Sequence, residues 1–299
     1  MPSPGITAIR LALIATAPPL DPLESSASYC GPCRSSPPAW NCYLQQQAFN
    51  EMDHVMSNLS VAVLTGGHFY HVRPFIDFFN GLDGIDAYVH HFDQWLFGAG
   101  NDSFMADGLR ISRPDIRGDH GITEPPSDDQ DMRDSYDVTL FYTMLRDEPD
   151  QKTVDSLERM VDSGMPIFVM HHALLNWGVG GFWSEVIGMP DRRIEVDDTW
   201  ESTYDVQVNL DHPVAAGLSD FSIQDETYAI ADCGDDCDVL LTTENTNSMR
   251  TLAWTHTYRD SRVFCMQLGH DPRTWEHPSF GRLVRNGLLW CADRSLTAA

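Results

Sequence analysis

Four short apolar runs constrain this chain more than anything else in it. They are residues 61–67 (VAVLTGG), 136–142 (YDVTLFY), 165–170 (MPIFVM) and 262–268 (RVFCMQL). Runs this short, bounded by turn residues, suit strands buried on both faces. Helical segments separate them. Residues 74–82 (PFIDFFNGL) enter through Pro74 and stop at Gly81 or Gly84. In residues 149–163, Val154, Leu157, Met160 and Val161 fall at helical spacing before Gly164. Residues 85–91 supply a further strand. Strand and helix alternating through short turns imply right-handed crossovers, hence an α/β protein with a mainly parallel sheet covered on both faces.

After Gly188 the alternation fades. Residues 193–196, 204–210 and 238–243 read as strands, and 252–258 with 262–268 as a hairpin through Arg259, Asp260 and Ser261. An amphipathic helix closes the chain, with Phe280, Leu283, Val284, Gly287, Leu288 and Cys291 on one face. Residues 59–293 therefore read as one domain and 294–299 as a tail. Residues 1–58, rich in Pro and Ser without a sustained period, read as a poorly structured extension apart from a short helix at 43–56. Residues 98–135 are polar and acidic, and longer than an ordinary connection, which fits either a lid or a solvated insertion.

Charge narrows the function. Nineteen Lys and Arg stand against 44 Asp and Glu, a formal net charge of -25. Such a surface repels phosphate backbones and anionic lipid, so neither nucleic acid nor a membrane is the expected partner. A neutral or cationic small molecule fits, as does adaptation to salty surroundings, and a homo-oligomer is allowed. No apolar stretch approaches the ~20 residues that span a bilayer. Arg10 and residues 11–17 (LALIATA) imitate a short export signal, but a cytoplasmic location is the leading expectation.

Seven cysteines, an odd number, do not suggest a disulfide framework. Cys30-Gly31-Pro32-Cys33 looks like a redox tetrapeptide, yet Pro37 and Pro38 follow where that chemistry needs a helix. With Cys42 nearby, a labile metal site or fortuitous spacing fits it better. Cys233 and Cys237 share a turn in which a local disulfide is open.

Three of the apolar runs deliver histidines: His68 after the first, His171 and His172 after the third, and His270 with Asp271 after the fourth. Ligands of open α/β sheets bind outside the carboxyl ends of the strands, where these side chains would meet. Gly66 and Gly67 allow close backbone approach beside His68 and His71, but no GxGxxG or Walker lysine accompanies them. His171 and His172 stand at the strand-to-helix turn where α/β hydrolases hold a nucleophilic Ser or Cys. Neither nucleophile is present, so histidine base or metal chemistry replaces an acyl-enzyme. Residues 225–228 (DETY) add a carboxylate.

An ordered set of segments extends these readings: VLTGGHFYH, YDVTLFY, GMPIFVMHHALLNW, FWSEVIG, HPVAAGL, DETY, MRTLAWTHTY and RVFCMQLGHDPRTWEHPSFGRLVRNGLLW. Over residues 59–293 the set resembles the ThuA-like, trehalose-utilisation family. The resemblance implies a three-layer, flavodoxin-like fold similar to the class I glutamine amidotransferases, with the triad histidine kept near His270 and the elbow cysteine lost. It implies a role in carbohydrate metabolism, on disaccharides or their 3-keto derivatives, rather than glutamine hydrolysis. His68, His171, Glu226 and His270 are then the catalytic candidates, with His172, Asp271 and His277 as a second choice. Gly67, His172, Trp177, Tyr228 and Asp271 are the substrate-binding candidates, and Phe69 and Trp275 offer further apolar faces to a sugar ring. A mixed histidine and carboxylate set suits a divalent ion such as Zn²⁺, with His68, His171 and His270 as its ligands. A non-catalytic sugar-binding domain and an amidotransferase-type hydrolase are the alternatives.

Overall fold

The apolar runs become strands because each can be buried from both sides. In the computed structural model, which describes residues 58–96, 135–178, 180–194 and 199–296, they form β1 (Leu59–Gly66), β3 (Val138–Thr143), β4 (Ile167–Met170) and the last strand of the chain, while the more exposed run 85–91 forms β2 (Ile85–His91). Alternate residues of β1 feed two separate cores. Val61 and Val63 pack with Phe75 and Phe79 of α1 (Val72–Asn80), on the face also covered by Phe280 and Leu283. Ala62 and Leu64 meet Leu157 and Met160 of α3 (Gln151–Asp162), beside α2 (Phe92–Leu96) and Trp183 of α4 (Gly181–Ile187). The predicted helix at 149–163 is trimmed at its start because the Asp150 carboxylate caps it, accepting from the Thr153 amide at 2.8 Å.

The second half adds β5 (Thr199–Val208), β6 (Phe221–Tyr228), β7 (Asp238–Thr242), β8 (Thr251–Tyr258) and β9 (Ser261–Met266), then α5 (Pro272–Trp275) and α6 (Pro278–Cys291). The sheet order is β2-β1-β3-β4-β9-β8-β7-β5-β6. The sheet is not mainly parallel, contrary to what the alternating strands and helices predict. The pairings from β2 to β9 are parallel, but those from β9 through β6 are all antiparallel, so the sheet is mixed. The cause is the linkers. A parallel neighbour needs a long crossover, whereas β8 turns directly into β9 at Arg259 and Asp260.

One departure from flatness matters for the site. Only Gln207 and Val208 of β5 pair with β7, while the rest of the strand pairs with β6 as a two-stranded arm. Of the strand expected at 193–196, Arg193 and Ile194 lie outside any element, and the rest falls outside the described residues. So do the 1–57 extension with its CGPC segment, and nearly all of the 98–135 insertion. No helix among the described residues is long and apolar enough to cross a membrane.

Candidate functional site

β4 ends in a sharp elbow. His171 takes a φ of 55°, a left-handed conformation that costs a non-glycine residue energy and needs support from its surroundings. A 3-10 turn, His171–Leu175, follows. Buried Arg192 donates to the carbonyls of Leu174 (2.8 Å) and Asn176 (2.6 Å), and Trp183 Nε1 to that of Ala173 (2.9 Å). The elbow is therefore fixed by its neighbours before any ligand arrives.

β9 ends beside it. Gly269 has a φ of 131°, and buried Asp225 of the arm accepts from the Gly269 amide at 2.7 Å and the His270 amide at 3.0 Å. Burial raises the Asp225 pKa, against the pull of His171 and these two amides. With Asp225 anchored, Glu226 and Tyr228 reach the histidines.

Three atoms then form a near-equilateral triangle. His171 Nε2 lies 3.2 Å from Glu226 Oε2 and 3.2 Å from His270 Nδ1, and His270 Nδ1 is 3.1 Å from Glu226 Oε2. The far nitrogens decide the protons. His171 Nδ1 faces the Gln267 carbonyl at 2.5 Å, and His270 Nε2 faces Glu201 Oε1 at 3.3 Å. Both partners only accept, so both far nitrogens carry hydrogen. In the neutral rings, three lone pairs then point at one another, and such a triangle calls for a cation. In the metal-free protein a proton meets the need. Burial opposes ionisation of both Glu226 and His270, but their hydrogen bond and mutual attraction win: the Glu226 pKa falls well below the carboxylate range and that of His270 rises.

The same side chains could hold a divalent ion. Metal–ligand bonds of about 2.0–2.2 Å place ligand atoms roughly 3.0–3.5 Å apart, which these edges match. A carbonyl or carboxylate on the far nitrogen is also how metal-bound histidines are usually held. His172 can join the set, its ligand atom lying within 4.8 Å of the other three.

Tyr228 Oη sits behind the triangle, 3.0 Å from His171 Nε2, 2.6 Å from His172 Nδ1 and 3.2 Å from Glu226 Oε2. Burial holds its hydroxyl protonated, and burial with the nearby His171 and His68 pushes His172 well below the usual imidazole range. His172 Nε2 and His68 Nδ1 are both buried without a hydrogen-bond partner, and the two ring centroids lie 4.1 Å apart with the rings tilted at 47°. Glu226, His270 and Glu201 are the partly exposed members, so the pocket opens on their side.

The structure thus gathers His171, His172, Glu226, Tyr228 and His270, with His68 behind His172. It does not place His68 in the triangle; Glu226 stands there instead. Gly67 and Trp177 line a different cleft of about 520 Å³ with Phe92, Met144 and Arg146. Trp177 packs against Phe92 and Trp183 in the core. Asp271 caps α5 and binds Arg273, His277 caps α6 through the Ser279 amide, and His71 is exposed before α1. Trp275 is buried, its Nε1 donating to the Gly269 carbonyl at 2.8 Å, while Phe69 is exposed. The sequence reading passed over Glu201, Asp225 and Gln267. Gln267 left a signal, a polar residue inside an apolar run, but Glu201 left none.

A mixed-sheet α/β body carrying a histidine and carboxylate pocket at a nucleophile-free elbow defines the class. Within it, this chain belongs to the ThuA family, whose model, described as trehalose utilisation, matches residues 122–291, more than half of the chain. A putative ThuA-like protein from Parabacteroides merdae is similar at 15% identity and a TM-score of 0.54, covering 81% of this chain and 93% of its own. A cytoplasmic protein from Salmonella typhimurium gives 14% identity, a TM-score of 0.51, and coverage of 78% and 99%. Such identities speak for the fold alone. No curated protein matches the chain in sequence.

Proposed function

We propose that this protein is an enzyme of carbohydrate metabolism acting on a disaccharide or its 3-keto derivative at the pocket of His171, Glu226 and His270. The triangle of lone pairs carries the reading. A divalent ion such as Zn²⁺, held by these three side chains, supplies Lewis acidity toward a keto or hydroxyl oxygen. The protein's own groups do the rest. Gln267 and Glu201 fix the two imidazoles, Asp225 fixes the His270 turn, and the buried Tyr228 Oη donates to Glu226 Oε2 and orients that carboxylate. His172 Nδ1, at 2.6 Å, holds that hydroxyl in place.

Electrostatics select the substrate. Glu201 and Glu226 face the pocket of a chain with net charge -25, which disfavours phosphorylated sugars and favours neutral ones. In the same reading, β2-β1-β3-β4-β9 is the flavodoxin-like or amidotransferase-like part of the sheet, and His171 stands where such folds hold a nucleophile. We place the protein in the cytoplasm, in keeping with its four described cysteines being free thiols.

The test is product analysis of the metal-loaded protein on a panel of disaccharides and 3-keto sugars. Turnover of one of them, lost by at least about 100-fold in His171→Ala and His270→Ala with the fold retained, is the expected result. Sugar binding without product, or undiminished turnover in both variants, overturns it.

A further inference from the structure

A second cluster of ligating side chains lies away from the histidine pocket and shares no residue with it. His256 pairs with Val263 near the start of β9, whereas the pocket sits beyond the end of that strand. The loop before β7 brings Cys233, Asp236 and Cys237 to the same place. His256 Nδ1 is 4.0 Å from Cys237 Sγ and 3.8 Å from Asp236 Oδ2, the three ligand atoms lying within 4.8 Å of one another. All four described cysteines are free.

The loop is built to hold this shape. The Thr251 amide donates to Asp232 at 2.8 Å, the Gly234 amide to the Gly188 carbonyl at 2.8 Å, and the Cys237 amide to the Gly234 carbonyl at 3.1 Å. Gly188, in the left-handed region at a φ of 67°, makes the space. A Cβ there would stand 2.5 Å from Cys237 Sγ and 3.1 Å from the His256 ring. A cleft of about 470 Å³, bordered by Gly188, Gly234, Asp236 and His256, gives access from solvent.

We propose that Cys233, Cys237 and His256, with Asp236 as the fourth ligand, form a site for Zn²⁺ or a similar thiophilic divalent ion. Around tetrahedral zinc, sulfur, nitrogen and oxygen ligands stand about 3.3–3.8 Å apart, close to the His256–Cys237 and His256–Asp236 separations, and Cys233, four residues before Cys237 on the same loop, completes the set by a side-chain movement. Binding releases the two thiol protons to solvent, including the one Cys237 shares with the Gly188 carbonyl at 3.4 Å. Two thiolates, an imidazole and a carboxylate make a harder anionic pocket for alkali ions to use than for zinc, because soft sulfur favours borderline metals.

Cobalt tests this, because thiolate-to-cobalt charge transfer absorbs in the near ultraviolet and the histidine pocket contains no sulfur. The reduced, metal-free full-length chain is titrated with Co²⁺ alone. The expected result is one equivalent bound with that band, kept in a Cys30→Ser, Cys33→Ser, Cys42→Ser variant, lost in Cys233→Ser, Cys237→Ser, and bleached by Zn²⁺. Absence of the band from the wild-type chain overturns the proposal without touching the histidine pocket, and so does its survival in Cys233→Ser, Cys237→Ser.

Discussion

At the scale of single residues, the pocket depends on side chains that never face the substrate. Asp225 touches neither the open face of the pocket nor the Glu226 oxygen, but it receives the two amides that aim His270. Asp225→Asn should therefore weaken metal binding by about 10–100-fold while circular dichroism stays native. A fall in melting temperature with metal affinity unchanged would mark Asp225 as merely structural. His171, Glu226 and His270 were legible in the sequence because each adjoins a strand end or a compact polar motif. Glu201 was not, because it acts only through register: it lies opposite Glu226 in the β5–β6 pairing, 25 residues away in the chain.

At the scale of elements, close packing between α6 and the sheet sets how firmly β4 and β9 hold their terminal histidines. Gly287 faces both strands; a Cβ there would stand 2.7 Å from the Phe168 ring and 3.0 Å from that of Phe264. Neither buried ring has free space to move into. Gly287→Ala should cost about 1–3 kcal/mol, measured as a lower urea midpoint at unchanged slope. An unchanged midpoint would mean the interface relaxes freely. β1, β3, β4 and β9 were legible as apolar runs, with helical spacing between the first three of them. β6 was read only as a polar motif, since its alternation of Phe221, Ile223 and Asp225 ends in an acid that only burial against Gly269 explains.

For the whole molecule, a net charge of -25 makes self-repulsion a standing cost of the folded state. Salt screens it: the screening length falls from about 10 Å at about 0.1 M to about 3 Å at about 1 M. The melting temperature should rise over that range of sodium chloride, and a flat or falling trend would show that local ion pairs outweigh the net charge. Pairs such as Arg259 with Asp162 at 2.6 Å lie on the surface, where screening weakens attraction as well.

The sequence by itself determined what depends on near neighbours in the chain. Apolar runs gave the strands, 3.6-residue spacing the helices, and an ordered series of motifs the family. It also placed histidines at strand ends, because a strand's last residue and the turn after it are adjacent by covalent bonding. Tertiary structure alone decided that half the sheet is antiparallel and that β5 leaves it after two paired residues. It also decided that the resulting arm sets Glu226, rather than His68, against His171 and His270. Those outcomes rest on pairing and burial between distant segments. Local periodicity carries no record of which strand becomes whose neighbour, in which direction, or in which register.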